Sequence, residues 1–226
     1  MPLIGMPESK SVIDLHEQTW KAEEANGFQW RDPTDPEKHT FATAALKELG
    51  LPASVRLMDF GCGNGFTTDF FHSLGYQVHG IDVSDALIRS NSNRFPGVEF
   101  SVIQPGQHIP FPDGSFDAIY CSEVIEHVYD VNFLLGQFAR VLRPGGLLLL
   151  TTPYHGLIKN LVVVLFFFEH HFNPEGQHIR FWTRKSLTRI CARNELTPIN
   201  WKHVGRIWPL PKSFFVVCRN KAARSF

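Results

Sequence analysis

Between residues 55 and 153 two kinds of hydrophobic pattern take turns along the chain. Short, nearly continuous apolar runs, VRLMDF (55–60), YQVHGID (76–82), VEFSVI (98–103), SFDAIYCS (115–122) and LLLLTTP (147–153), are separated by stretches whose apolar residues recur at helical spacing. Strands with no polar alternation are buried on both faces, so the order predicts a parallel sheet covered by helices on each side. The helices are expected over Phe66–Leu74, closed by Gly75, from the cap Ser84 to about Arg94, and over Asn132–Leu142 before the turn RPGG. Upstream, Phe41, Ala44, Ala45, Leu46 and Leu49 share a face of a helix over Thr40–Leu49 that Gly50 and Pro52 stop. Residues 1–36 read as a loosely helical lead-in ending in a turn at Pro33 and Pro36. Downstream, Thr183 caps a helix to Asn194, and two further strands are expected around Pro198–Val204 and Ser213–Arg219.

The alternation breaks after Pro153. Residues 154–182 form a long excursion that holds the apolar run LVVVLFFF (161–168) and several histidines. Long excursions in compact domains are functional more often than ornamental. The run is too short to span a bilayer, which takes about 20 residues. It reads either as a buried core element or as an acceptor lid or membrane-surface contact. The whole pattern is that of one domain over 1–226, divided into the lead-in (1–52), a core (53–153), the insertion (154–182) and a closing helix with strands (183–226).

Composition narrows the classes. Hydrophobic residues make up 43% of the chain, enough to fill a core, so disorder is not expected. Twenty-two Lys and Arg balance 22 Asp and Glu, which removes the overall positive charge that nucleic-acid binding calls for. Cys62, Cys121, Cys191 and Cys218 are widely spaced and read as reduced core thiols of a cytoplasmic protein. The opening MPLIGMPESK has no basic stretch followed by an apolar one, so no signal peptide is expected.

The chemistry begins at the end of the first strand. LMDFGCGNG (57–65) stops at Asp59 and turns through Gly61, Gly63 and Gly65 into a helix, the place where doubly wound sheets bind ligands. The third glycine comes one residue too early for the GxGxxG of dinucleotide folds, and no GK[ST] follows to hold a phosphate. Asp59 would repel phosphates but could meet an ammonium group, directly or through water. Asp82 ends the second strand in GIDVS, 21 residues after Gly61, where a carboxylate can accept both ribose hydroxyl protons. A ligand with a ribose, a cationic amine and no phosphate fits these residues.

DFGCGNG, GIDVS, FPDGSFDAIYCSEVIEHV and RVLRPGGLLLLTTP together resemble the successive motifs of class I S-adenosylmethionine-dependent methyltransferases, in order and spacing, from about Val55 to Pro153. The resemblance implies a Rossmann-like α/β fold, a doubly wound seven-stranded sheet that is mostly parallel with an antiparallel last strand. It implies that Asp59 and the loop Gly61, Cys62, Gly63 hold the methionine end of S-adenosyl-L-methionine, that Asp82 and Val83 hold the ribose, and that Cys121 lies near the sulfonium. The acidic residue that often contacts the adenine amine after the third strand is replaced here by Gln104, whose amide oxygen could serve instead. An NAD-type oxidoreductase and a non-catalytic cofactor-binding module remain the competing readings.

The acceptor side rests on histidines, which suit proton removal near neutral pH. His127 follows the fourth strand, His155 follows the fifth, and His178 lies late in the excursion. SEVIEHV is similar to a segment of ubiquinone-biosynthesis O-methyltransferases, some of which associate a divalent metal with the residues corresponding to Glu123, Glu126 and His127; the metal is not the expectation here. GQHIRFWTRKSL resembles a segment of that family and of bacterial glycan and natural-product cluster methyltransferases, where the histidine faces the acceptor. His178 is therefore the leading general base, with an anchoring hydrogen bond as its other reading, and His127 is either a base or a packing residue. The pair His170 and His171 matches no zinc spacing. The resemblance implies a small-molecule acceptor and points to O-methylation, and the Phe-rich apolar run beside the site suits a lipid-linked or aromatic one. A lid over Tyr154–Trp182, hinged at Gly156 and Gly176, would close on it.

Overall fold

The computed structural model describes residues 32–48, 50, 54–172, 178–206 and 209–221. The elements are α1 (Asp35–Glu48), β1 (Arg56–Phe60), α2 (Phe66–Ser73), β2 (Gln77–Asp82), α3 (Asp85–Arg94), β3 (Glu99–Val102), β4 (Phe116–Ser122), α4 (Val131–Val141) and β5 (Leu142–Pro153). They continue with α5 (Leu157–Phe166), α6 (Phe168–His171), α7 (Arg184–Arg193), β6 (Leu196–Val204) and β7 (Ser213–Asn220).

Seven strands pair in the order β3-β2-β1-β4-β5-β7-β6. The five strands β3, β2, β1, β4 and β5 run parallel, and β7 is antiparallel to both β5 and β6. The mostly parallel sheet with its reversed last strand is therefore as expected. Because successive side chains on a strand point to opposite faces, each face collects its own core. Met58, Phe60, Ile119, Cys121, Leu148 and Leu150 pack with α4 and α7. Leu57, Val78, Tyr120, Leu149, Phe215 and Val217 pack with α1 and Phe71 of α2.

Three details differ from the sequence reading. The helix α1 starts at Asp35 rather than Thr40, because Pro36 sits in the first helical turn, where its missing N–H is not needed. RPGG is not a turn ahead of the fifth strand but a bulge inside β5, where the pairing jumps from Phe116–Leu142 to Ala118–Leu147. There Gly145 has φ 77 and a Cβ on Gly146 would lie 2.9 Å from the Asp117 carbonyl. The third difference is the run 161–168. It forms the end of α5 and the start of α6, and the side chains of Leu161, Leu165, Phe166 and Phe168 are exposed, which corrects the buried-core reading.

The chain crosses from β3 at one edge back to β4 beside β1, so the carboxyl ends of β1 and β4 flank the point where the winding reverses. That crevice is where open α/β sheets bind ligands.

Candidate active site at the reversal of the sheet

The glycine loop leaves β1 and enters α2. Gly61, Gly63 and Gly65 have φ of 75, 51 and 77, a region that costs other residues strain. Two have a second reason to be glycine: a Cβ on Gly61 would lie 2.4 Å from Val124 Cγ2, and one on Gly65 would lie 2.8 Å from Asn91 Cγ. The loop is pinned from below, since the Gly61 and Cys62 amides donate to the Ile81 carbonyl at 2.7 and 3.0 Å. Asn91 of α3 holds it from the side, its Nδ2 donating to the Gly63 carbonyl at 2.7 Å. No sequence spacing announced Asn91; it belongs to a helix whose pattern reads only as packing.

Asp82 and Asp59 sit under this loop. Asp82 accepts the Gly63 amide at 2.9 Å on one oxygen and the Ser84 amide at 3.0 Å on the other. A carboxylate has about four acceptor sites, and the Val83 amide also acts on it, so capacity for a further donor remains. Burial raises its pKa despite these donors. Asp59 is almost wholly enclosed and accepts from Thr68 Oγ1 at 2.6 Å. Burial, opposed by the Thr68 bond and reinforced by Asp82, raises its pKa to about 7. It is a buried acid that a neighbouring ammonium would ionise. Val83 packs partly buried against the core, and Gln104 stands exposed just beyond β3, beside the carboxyl end of β2. Cys62 is buried beneath the loop. Cys121, paired with Phe60 at the carboxyl end of β1, has no exposed surface and lies in the core on the α4 face.

The loop after β4 is held by Glu123, which has φ 54. Its amide donates to the Thr151 carbonyl, its Oε1 accepts from Thr151 Oγ1 at 2.7 Å, and its Oε2 accepts from Ser213 Oγ at 3.1 Å. Buried Lys38 of α1 stands 3.9 Å away. With both oxygens engaged, Glu123 is a support, and the trio Glu123, Glu126 and His127 suggested by the resemblance does not gather.

Among the described residues, Glu126, His127 and His178 gather instead, with one donor atom from each lying within 4.8 Å of the others. Glu126 is fully enclosed; Thr152 Oγ1 donates to its Oε2 at 3.1 Å, whereas its Oε1 has no hydrogen-bond partner among the described residues and lies 3.9 Å from His127 Nε2. Burial, and then Glu123, raises its pKa to about 8. The rings of His127 and His178 are 4.9 Å apart, and burial together with His127 lowers the pKa of His178. The Ile179 amide donates to the Glu126 carbonyl at 3.0 Å and Arg180 donates to the Val128 carbonyl at 2.9 Å, which fastens the end of the excursion to this loop.

His155 is not one of the three, though His178 lies near enough to disfavour its charge. It is buried, bonds Asn160 through Nδ1 at 3.2 Å, and packs on His171 and Phe181. Burial lowers its pKa to about 4, with Lys159 adding to the effect. Gly156 lies against the Tyr154 ring, where a Cβ would meet the phenol oxygen at 1.8 Å. Gly176 lies outside the described residues.

A profile of the methyltransferase domain matches residues 32–200 of this chain. The chain belongs to that family. It is a class I S-adenosylmethionine-dependent methyltransferase domain. A ubiquinone biosynthesis O-methyltransferase of Xanthomonas oryzae pv. oryzae is 35% identical over 136 residues, covering 55% of this chain and 56% of that protein. One of a Bradyrhizobium species is 32% identical over 156 residues, covering 66% and 61%. The chain thus matches a little over half the length of these curated relatives. Among solved structures, the 1,6-didemethyltoxoflavin-N1-methyltransferase of Burkholderia thailandensis, with bound 1,6-didemethyltoxoflavin and S-adenosylhomocysteine, superposes with a TM-score of 0.66 at 17% identity. The match covers 98% of this chain and 94% of that one. At this identity the likeness shows the fold. No helix among the described residues is long and apolar enough to cross a membrane.

Proposed function

We propose that the chain moves the methyl group of S-adenosylmethionine to a hydroxyl of a small molecule, such as a glycan, a natural product or a quinone precursor. The observation that carries this is the His127–His178 ring pair, 4.9 Å apart beside a buried carboxyl group. The named activity of the relatives from Xanthomonas and Bradyrhizobium supports oxygen as the acceptor atom.

In this reading Asp59 and the Gly61–Gly63 loop receive the methionine end, Asp82 and Val83 the ribose, and Gln104 the adenine. The sulfonium supplies its own leaving group, so the protein has to align the acceptor and remove its proton. His178, held neutral by its lowered pKa, takes the hydroxyl proton. The acceptor oxygen then bonds to the methyl carbon, and the carbon–sulfur pair passes to sulfur. The products are a methyl ether, S-adenosylhomocysteine and an imidazolium that returns its proton to water. His127 orients His178. His155, buried and tied to Asn160, anchors the start of α5. The segment 154–182 closes over the site and keeps out water.

One carboxylate and two imidazoles also fit a divalent cation, and Glu126, His127 and His178 would then hold it to acidify the acceptor hydroxyl. We infer the metal-free route, because proton transfer from the acceptor hydroxyl to His178 needs no cation.

The test uses purified protein with panels of hydroxylated acceptors, with S-adenosylhomocysteine as the readout. His178→Ala is expected to lower turnover about 10²-fold, the usual scale for a general base, while S-adenosylmethionine affinity stays unchanged in calorimetry. A chelator should leave the rate intact, and the rate should hold at the ordinary histidine value of 6.5 and fall only at lower pH. Full activity of the variant, or abolition by the chelator, would remove His178 from the base role. Binding of NAD in place of S-adenosylmethionine would overturn the reading altogether.

A further inference from the structure

Among the described residues, Glu123 and Glu195 alone take a positive φ without being glycine. Glu195 follows the end of α7, where a left-handed residue commonly closes a helix. Glu123 has no such reason. It sits at φ 54 in a turn that glycine would make without strain, so its side chain must supply what the backbone loses. A strained residue persists where its surroundings over-determine it, and here they do. The Glu123 amide donates to the carbonyl and to Oγ1 of Thr151, and its carboxylate accepts from Thr151 on β5 and from Ser213 on β7.

The turn that follows carries this side of the candidate site. Val124 lies against the glycine loop and leaves no room for a Cβ on Gly61. The His127 amide donates back to the Val124 carbonyl at 2.9 Å, which closes the turn. Glu126 is held by Thr152, and the His127 ring meets that of His178. Whatever fixes Glu123 therefore fixes how the histidine pair stands relative to the glycine loop.

Lys38 reaches Glu123 from another layer of the fold. It belongs to the start of α1, is almost completely buried, and its Nζ lies 3.9 Å from Glu123 Oε1, 2.9 Å from Asp32 and 3.7 Å from Asp35. Burial opposes its charge, but Glu123 first and Asp32 next prevail and raise its pKa. Burying an ammonium is costly, and stability alone does not call for one here: Asp32 already has Lys212 at 2.7 Å, and an apolar side chain can replace a buried ion without loss. Lys159 also approaches Glu123, from α5, but its ammonium is committed to the Lys212 carbonyl and the Tyr154 ring.

We propose that Lys38 is a positioning residue: through Glu123 it sets the turn 123–127 and with it the His127–His178 pair. The helix α1 is then a working part of the acceptor side. The inference deepens the proposed function and rests on it for what the pair does, but the placement itself is read without any acceptor.

The full chain, isotopically labelled at histidine and saturated with S-adenosylhomocysteine, is examined by NMR for a cross-peak between the His127 and His178 rings, with His127→Asn and His178→Asn assigning the signals. The unaltered protein should show the cross-peak and Lys38→Met should lose it. With an acceptor from the hydroxylated panel, Lys38→Met should also lower turnover about tenfold, within the range for misplacing a reacting group, while S-adenosylhomocysteine affinity stays unchanged in calorimetry. Glu123→Gln keeps an acceptor for one hydroxyl and a donor for the other; it should reproduce both losses, and it decides alone if Lys38→Met does not fold. The double variant should fall no further than either single one, because residues that act as one unit are not additive. Asp32→Asn should lower the denaturation midpoint and keep the cross-peak, which separates positioning from general loosening. A cross-peak undiminished in Lys38→Met and Glu123→Gln, or absent from the unaltered protein, would overturn the proposal. So would an equal loss in Asp32→Asn, and so would a loss of S-adenosylhomocysteine affinity with the cross-peak intact, since Lys38 would then be a cofactor ligand. A cross-peak that responds to Lys38 in a protein that methylates nothing in the panel would count against the proposed function and leave the placement standing.

Discussion

Asp59 and Asp82 stand a loop apart and are tuned differently. Asp82 already receives two backbone amides, so removing it takes charged hydrogen bonds from the ribose and also frees the Gly63 amide. Asp82→Ala is expected to weaken S-adenosylmethionine binding by about 1–3 kcal/mol; unchanged affinity in calorimetry would take Asp82 out of the site. Asp59, with a pKa of about 7, should lose its proton when the amino group of the cofactor arrives. The sign follows from linkage: binding releases a proton, so affinity rises with pH through about 7 and falls below it by up to about tenfold per pH unit. Asp59→Asn should flatten that profile, and calorimetry in buffers of different ionisation enthalpy would count the proton released. Asp82 and the glycines were legible in the sequence because order and spacing along the chain fix them. Thr68, which bonds Asp59, and Lys38, which approaches Glu123, were not, because those partners meet only after the chain has folded.

The glycine loop is the element on which the site depends, and Val124 explains why Gly61 cannot be larger. Gly61→Ala combines a left-handed backbone with a 2.4 Å collision. It should cost roughly 1–3 kcal/mol of stability and weaken cofactor binding in parallel. Adding Val124→Ala should restore part of both, which thermal melts and calorimetry would measure; no recovery would mean that backbone strain alone is responsible. Most elements were legible from pattern alone. Thr183 does cap α7, within a capping box completed by Ser186, and Ser84 caps α3 by accepting from Leu87. The misreading of α5 is instructive. Periodicity tells which residues share a helix face but not which way that face points, and Lys159 and Asn160, the only polar residues in α5, turn out to be its inner face.

At the scale of the molecule, α1 is strapped to the far side of the sheet by ions. Asp32 meets Lys38 at 2.9 Å and Lys212 at 2.7 Å, and Lys38 is almost completely buried. Burial opposes the charge of Asp32, but Lys212 and Lys38 prevail and hold its carboxyl well below the usual range. Its contribution to stability is therefore present above about 3.8 and lost as pH falls further. Asp32→Ala strands a buried ammonium and should cost about 3–5 kcal/mol, the scale for breaking a buried pair, seen as a lower denaturation midpoint at neutral pH. A change within error would mean that Asp35 and Glu123 suffice for Lys38. The reversed strand reaches further, into how the protein is made. β7 lies between β5 and β6, and β6 pairs with no other strand among the described residues. A nascent chain that has emerged only as far as Val204 therefore has nowhere to dock β6, and β5 keeps an open edge rich in leucine. Such an edge is a template for pairing with other chains. Synthesis through Asn220 closes it, so a ribosome stalled in the last strand should leave a far more aggregation-prone product than one stalled just after it.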